Sequence, residues 1–192
     1  MESNTIDTAP PSSNKNDEAR RLFLRYGGSY FHMQREGELQ QYLSYGISKE
    51  QERAWAQERR DEILPLLDAR LINNEAFREL VRLIVESKDA DGLHLLVNLV
   101  ETHRLHLDTF TAIRIAEDFF RIHGNSRLGS YLPKSTRKAI WCCINHLLET
   151  IDEENVTVDP YYRTLPYLAD ILTQEHIAER VKELRESVQT NG

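Results

Sequence analysis

Residues 89–103, DADGLHLLVNLVETH, decide the fold. Six of the eight positions from Leu93 to Val100 are apolar: Leu93, Leu95, Leu96, Val97, Leu99 and Val100. At about 100° per residue these side chains spread round nearly the whole circumference of a helix. A helix apolar on every side is a buried one, so the stretch predicts a central rod sheathed by its neighbours. Asp89 is placed to cap its first turn.

Working outward, Phe77, Leu80, Val81, Ile84 and Val85 recur at helical spacing and give the preceding helix one apolar face. Downstream, Asp108 caps a helix whose face is Ile113, Ala116, Phe119 and Phe120, and Gly124 stops it. A helix from about Ser135 to Thr150 turns Ile140, Cys143, Ile144 and Leu147 inward. Two C-terminal helices follow, marked by Leu165, Leu168 and Leu172 and by Ile177, Val181, Leu184 and Val188. On the N-terminal side, a helix from Asp17 to Tyr26 ends at Gly27-Gly28, since glycine accepts the left-handed C-terminal conformation. A short helix is expected over about 37–45. Ser48 and Gln51 have capping-box spacing for a helix through Trp55 that Pro65 should kink or restart.

No stretch of five or more residues alternates apolar and polar convincingly, and the strand-like Val156–Val158 is too short to count. The expectation is an all-α fold of about eight helices, in an antiparallel bundle or an irregular α-α (HEAT-like) stack. Residues 17–188 form a single domain in this reading. The Ser/Asn/Pro-rich residues 1–16 form a disordered lead-in, too poor in apolar side chains to offset the entropy of ordering.

The composition, 40% hydrophobic and 29% charged, is that of a globular chain. The longest apolar run is the six residues Ala139–Ile144, against the roughly 20 that a membrane helix needs. The N-terminus has neither the basic nor the apolar region of a secretory signal. The two cysteines, Cys142 and Cys143, are adjacent and point apart on a helix, which suits a reducing cytoplasm. A net charge of −7 argues against nucleic-acid binding over the whole surface.

Three patterns carry functional meaning. Glu101, His103, His106 and Asp108 place imidazoles and carboxylates together, the donors that zinc and iron use. Their plainer reading is a polar helix end followed by the cap of the next helix. Between Phe119 and Leu148 there is no acidic residue, while Arg121, Arg127, Lys134, Arg137 and Lys138 accompany Tyr131. Such a basic stretch entering a helix N-terminus suits an anion or the acidic face of a partner. Third, Phe23, Tyr26, Tyr30, Phe31, Tyr42, Tyr45 and Trp55 concentrate rings near the N-terminus, where they cap one end of the helical stack or serve as a recognition surface.

Catalytic motifs are lacking: there is no G-x-S-x-G, no phosphate loop and no H-E-x-x-H. No cofactor is called for. The sequence therefore reads as a non-catalytic, cytoplasmic interaction or regulatory protein that binds another protein. A metal-dependent enzyme built on Glu101, His103, His106 and Asp108 is one alternative, and nucleic-acid binding through residues 121–138 is the other.

Overall fold

The computed structural model describes residues 13–69, 74–124 and 131–191. Among them it contains ten α-helical segments, two 3-10 turns and no strand. In chain order these are α1 (Ser13–Arg25), α2 (Tyr30–Arg35), α3 (Leu39–Ser44), α4 (Lys49–Ala69), α5 (Asn74–Ser87) and α6 (Ala90–His103). A 3-10 turn (Arg104–His106) leads to α7 (Thr109–Gly124), α8 (Lys134–Glu149) and α9 (Pro160–Arg163). A second 3-10 turn (Pro166–Ile171) and α10 (Gln174–Asn191) complete the chain. The all-α expectation holds and is compatible with a helical bundle. The count exceeds eight because short segments such as α2 and α9, of six and four residues, are added; the helix expected on Leu165, Leu168 and Leu172 is instead α9 followed by a 3-10 turn. Helix α1 also starts at Ser13, inside the stretch read as a disordered lead-in; residues 1–12 lie outside the described residues.

Local chemistry explains most boundaries. Helix α1 ends in a Schellman turn: Gly28 N–H donates to Phe23 O (2.9 Å), Gly27 N–H donates to Leu24 O (3.0 Å), and Gly27 takes φ +55°. Ser48 Oγ accepts the Gln51 N–H at 3.2 Å, which opens α4 as its spacing predicts. Asp89 accepts from Gly92 N–H (2.9 Å) and Asp108 from Thr111 N–H (3.1 Å), so both anticipated caps form. Pro65 does not interrupt α4. It deprives only the Asp61 carbonyl of a helical partner, and Asp61 is exposed, where water can serve instead.

The main core gathers side chains from α4 to α10. Helix α8 lies between α6 and α7, and α10 packs on both α7 and α8. The expected central rod is displaced by one helix. Helix α6 buries Leu93, Leu96, Val97 and Val100, spaced i, i+3, i+4 and i+7, but leaves Leu95 46% exposed. It is one-sided. Helix α7 is the enclosed one, with Phe110, Ala112, Ile113, Ile115, Ala116, Phe119 and Ile122 all buried. The reason is the number of neighbours. Helix α8 covers one side of α7, α10 another, and Phe77 of α5 sets its ring 6.4 Å from Phe119. The strand-like segment 156–158 also docks on α7 rather than pairing in a sheet. Thr157 Oγ1 accepts the Thr109 N–H (2.9 Å), and Thr157 O accepts the Phe110 N–H (3.2 Å).

A second, smaller core joins α1, α2, α3 and the first half of α4 around Phe23, Met33, Tyr42 and Trp55. Its one buried acid is satisfied: the Tyr30 and Tyr42 hydroxyls and the Lys49 ammonium donate to Glu52 at 2.5, 2.8 and 2.7 Å. A buried carboxylate with three donors fixes α2 and α3 to α4, and truncating it would leave polar groups stranded.

Candidate binding site

The four residues read as possible metal ligands do not come together. Asp108 is occupied at the N-terminus of α7, accepting from the Thr111 N–H and hydroxyl. Glu101 accepts from Arg104 (2.5 Å) and lies 2.9 Å from Nδ1 of His146 on α8. His106 is exposed on the 3-10 turn, and His103 is half-buried at the end of α6. Among the described residues no group of three or more His, Cys, Asp or Glu is arranged to hold a metal ion. In the structure these residues serve as a cap, an ion pair and a helix end, and His146 is the partner of Glu101 that the sequence did not suggest. Cys143, one turn before His146, is fully buried, and burial together with the Glu101 carboxylate pushes its thiol pKa up. A thiol held neutral in the core is no nucleophile.

The basic stretch is also divided. Residues two apart on a helix point about 200° apart, and Arg121 and His123 leave α7 on different sides. Arg121 pairs with Asp118 at 3.3 Å. His123 stacks on Trp141 with ring centroids 4.8 Å apart; burial and the nearby Arg137 lower its pKa. Lys134 and Lys138 are exposed and Arg137 half-buried, with no ion pair to any described residue. Tyr131 is turned inward against the core, its hydroxyl buried without a hydrogen-bond partner among the described residues. Arg127 lies outside the described residues. The N-terminal rings mostly fill the smaller core; Phe31, 72% exposed, is the exception.

What the structure does assemble is a groove of about 480 Å³ between α5, α7, the 160–171 segment and α10. Its floor is the Phe110 ring, met edge-on by Tyr162 at 5.0 Å. Pro160 and Pro166 each sit in the first turn of a short helical segment, holding the intervening chain close to α7. At the rim stand Tyr161, 47% exposed, and Tyr167, 77% exposed. Two guanidinium groups, of Arg114 and Arg180, lie 5.4 and 5.7 Å from the Phe110 centroid. Arg180 is held by a two-pronged bond to Glu117, with Nε–Oε1 at 3.0 Å and Nη2–Oε2 at 2.6 Å.

Arg114 is different. It is half-buried yet makes no ion pair or hydrogen bond with any described residue. Burial, and then the positive charge of Arg78, pull its guanidinium pKa below the usual value. Burial likewise raises the carboxyl pKa of Asp118, whose near partner is Arg121. Tyr162 and the Asp118 carboxylate oppose this only in part, so a half-dehydrated cation in no ion pair gains from an arriving anion.

The sequence reading missed this groove. The nearest signal was the run PYYRTLPY at 160–167, whose two prolines and three tyrosines lie beside α7. No family model, curated protein or solved structure matches the chain.

Proposed function

We propose that this chain is a non-catalytic interaction protein that binds another protein, and that the partner docks in the groove between α5, α7, the 160–171 segment and α10. The carrying observation is the pair of solvent-facing tyrosines, Tyr161 and Tyr167, beside the unpaired half-buried Arg114. Tyrosine and arginine are the residue types that concentrate binding energy at protein interfaces, because each combines a large flat contact with fixed polar groups. Here they line a concave surface with an apolar floor, which gives a docked segment something to bury. The two free, adjacent cysteines, Cys142 and Cys143, support an intracellular setting for this binding. The enzyme reading draws no comparable support, since Cys143 is buried and Glu101 is taken up by Arg104 and His146. Nucleic acid is disfavoured because the basic residues form no single stripe: Arg121 lines the groove, while Lys134, Arg137 and Lys138 stand on α8, with Arg137 near His123.

The test is affinity capture with three forms of the chain: wild type, Tyr161→Ser/Tyr167→Ser, and Phe31→Ser in the smaller core region. The expected result is a protein recovered in stoichiometric amount by wild type and Phe31→Ser and lost by the tyrosine double variant. Retention of every captured protein by the double variant contradicts the groove as the docking surface.

A further inference from the structure

The groove holds four arginines and three acids, and their pairing is unequal. Arg180 is engaged by Glu117 and Arg121 by Asp118. Glu75 lies exposed at the edge, one turn from Arg78 on α5. Arg78 and Arg114 form no ion pair with a described residue, although both lie near enough to Asp118 for their charges to favour its carboxylate. We infer that the docked segment carries a phosphorylated side chain, whose phosphate oxygens are taken by Arg114 and Arg78 while Tyr161 and Tyr167 cover the flanking residues.

This inference rests on the reading of the groove as a docking surface and specifies its ligand. Three features favour a phosphate monoester over a carboxylate. Half-buried Arg114 and exposed Arg78, neither in an ion pair, together offer more donors than the two oxygens of a carboxylate can take, whereas a phosphate monoester presents three oxygens and close to two negative charges near neutral pH. Arginine presents a planar fork of donors that matches two phosphate oxygens at once, and charge-assisted bonds of this kind are about twice as strong as neutral ones. Finally, Arg114 is fixed over the Phe110 face and partly dehydrated, so its bond to an anion competes with less water. The exposed tyrosines extend the surface beyond the anion seat, which suits an extended peptide rather than a free ion.

The experiment measures binding of fluorescein-labelled peptides to the full chain at physiological ionic strength. The probes are a phosphoserine peptide with leucine flanks, its phosphotyrosine counterpart, the unphosphorylated peptide, inorganic phosphate as competitor, and a single-stranded oligonucleotide. At least one phosphopeptide is expected to bind at least about tenfold more tightly than its unphosphorylated twin. Arg114→Gln should abolish that difference, Arg114→Lys should restore part of it, and Arg137→Gln should leave it intact. Circular dichroism of each variant confirms that it is folded.

Equal binding of phosphorylated and plain peptides overturns the inference, as does discrimination that survives Arg114→Gln in a folded variant. Displacement by inorganic phosphate at the peptide's own dissociation constant reduces the site to an anion seat and overturns the peptide assignment. Tighter binding of the oligonucleotide overturns it in favour of nucleic acid. If phosphate makes no difference while capture still depends on Tyr161 and Tyr167, this inference fails alone. If that dependence is lost as well, the docking reading falls with it.

Discussion

Helices α6 and α7 invite comparison because the more uniformly apolar of the two is the less buried. Helix α6 holds six apolar residues in eight positions and leaves Leu95 at the surface. Helix α7 interleaves its apolar residues with Arg114, Glu117, Asp118 and Arg121, yet it is covered on more sides. Burial follows from what packs against a helix, and the sequence of that helix gives only the faces available for packing. The comparison also bears on function. The charged residues of α7 are not placed on a free solvent face. They line a groove whose other walls come from α5, the 160–171 segment and α10.

Substitutions along the two helices test this contrast. The largest effect is expected for Phe119→Ala in α7, which removes a fully buried ring touching Phe77 and should cost about 3–5 kcal/mol in urea unfolding. Leu96→Ala on the inner face of α6 should cost about 2–5 kcal/mol by the same measurement. Lys88 joins α5 to α6 with φ +57°, the left-handed conformation that disfavours side chains, and its residue is exposed. Lys88→Gly should therefore raise stability by about 1 kcal/mol, seen as a higher melting temperature. Leu95→Ala, on the outer face of α6, should change stability by no more than about 0.5 kcal/mol. A loss at Leu95 as large as that at Leu96 would show α6 to be enclosed on all sides after all.

The parts of the fold legible in the sequence were those governed by neighbours in the chain. The face of α5, the glycine stop after α1, and the caps at Asp89 and Asp108 all follow from local spacing and hydrogen bonding. Two features escaped for lack of local signal. Helix α2 has six residues, less than two turns, so periodicity cannot show it. Pro65 stays inside α4 because packing of Ile63 and Leu67 into the main core outweighs one lost backbone bond.

The candidate site was illegible for a related reason. Arg78, Arg114, Tyr161, Tyr167 and Arg180 come from separate elements, and each alone resembles an ordinary surface residue. The residues that did draw the eye, Glu101 to Asp108 and Arg121 to Lys138, were adjacent in sequence. The fold divides them between different sides and occupies Glu101 and Asp108 with intramolecular bonds.

The central claim is that Arg114 is held ready for a ligand and contributes little to the scaffold, whereas its neighbour Arg180 is structural. Urea unfolding of Arg114→Met beside Arg180→Met tests this directly. Arg114→Met removes a half-buried cation in no ion pair and keeps the stem over Phe110; the desolvation relieved should offset the lost attraction to Asp118, so its stability should equal or exceed that of wild type. Arg180→Met takes from Glu117 its two-pronged partner, leaving only the 4.0 Å contact with exposed Arg121, and should lower stability. If Arg114→Met is destabilised as much as Arg180→Met, Arg114 belongs to the scaffold and the account of the groove is wrong.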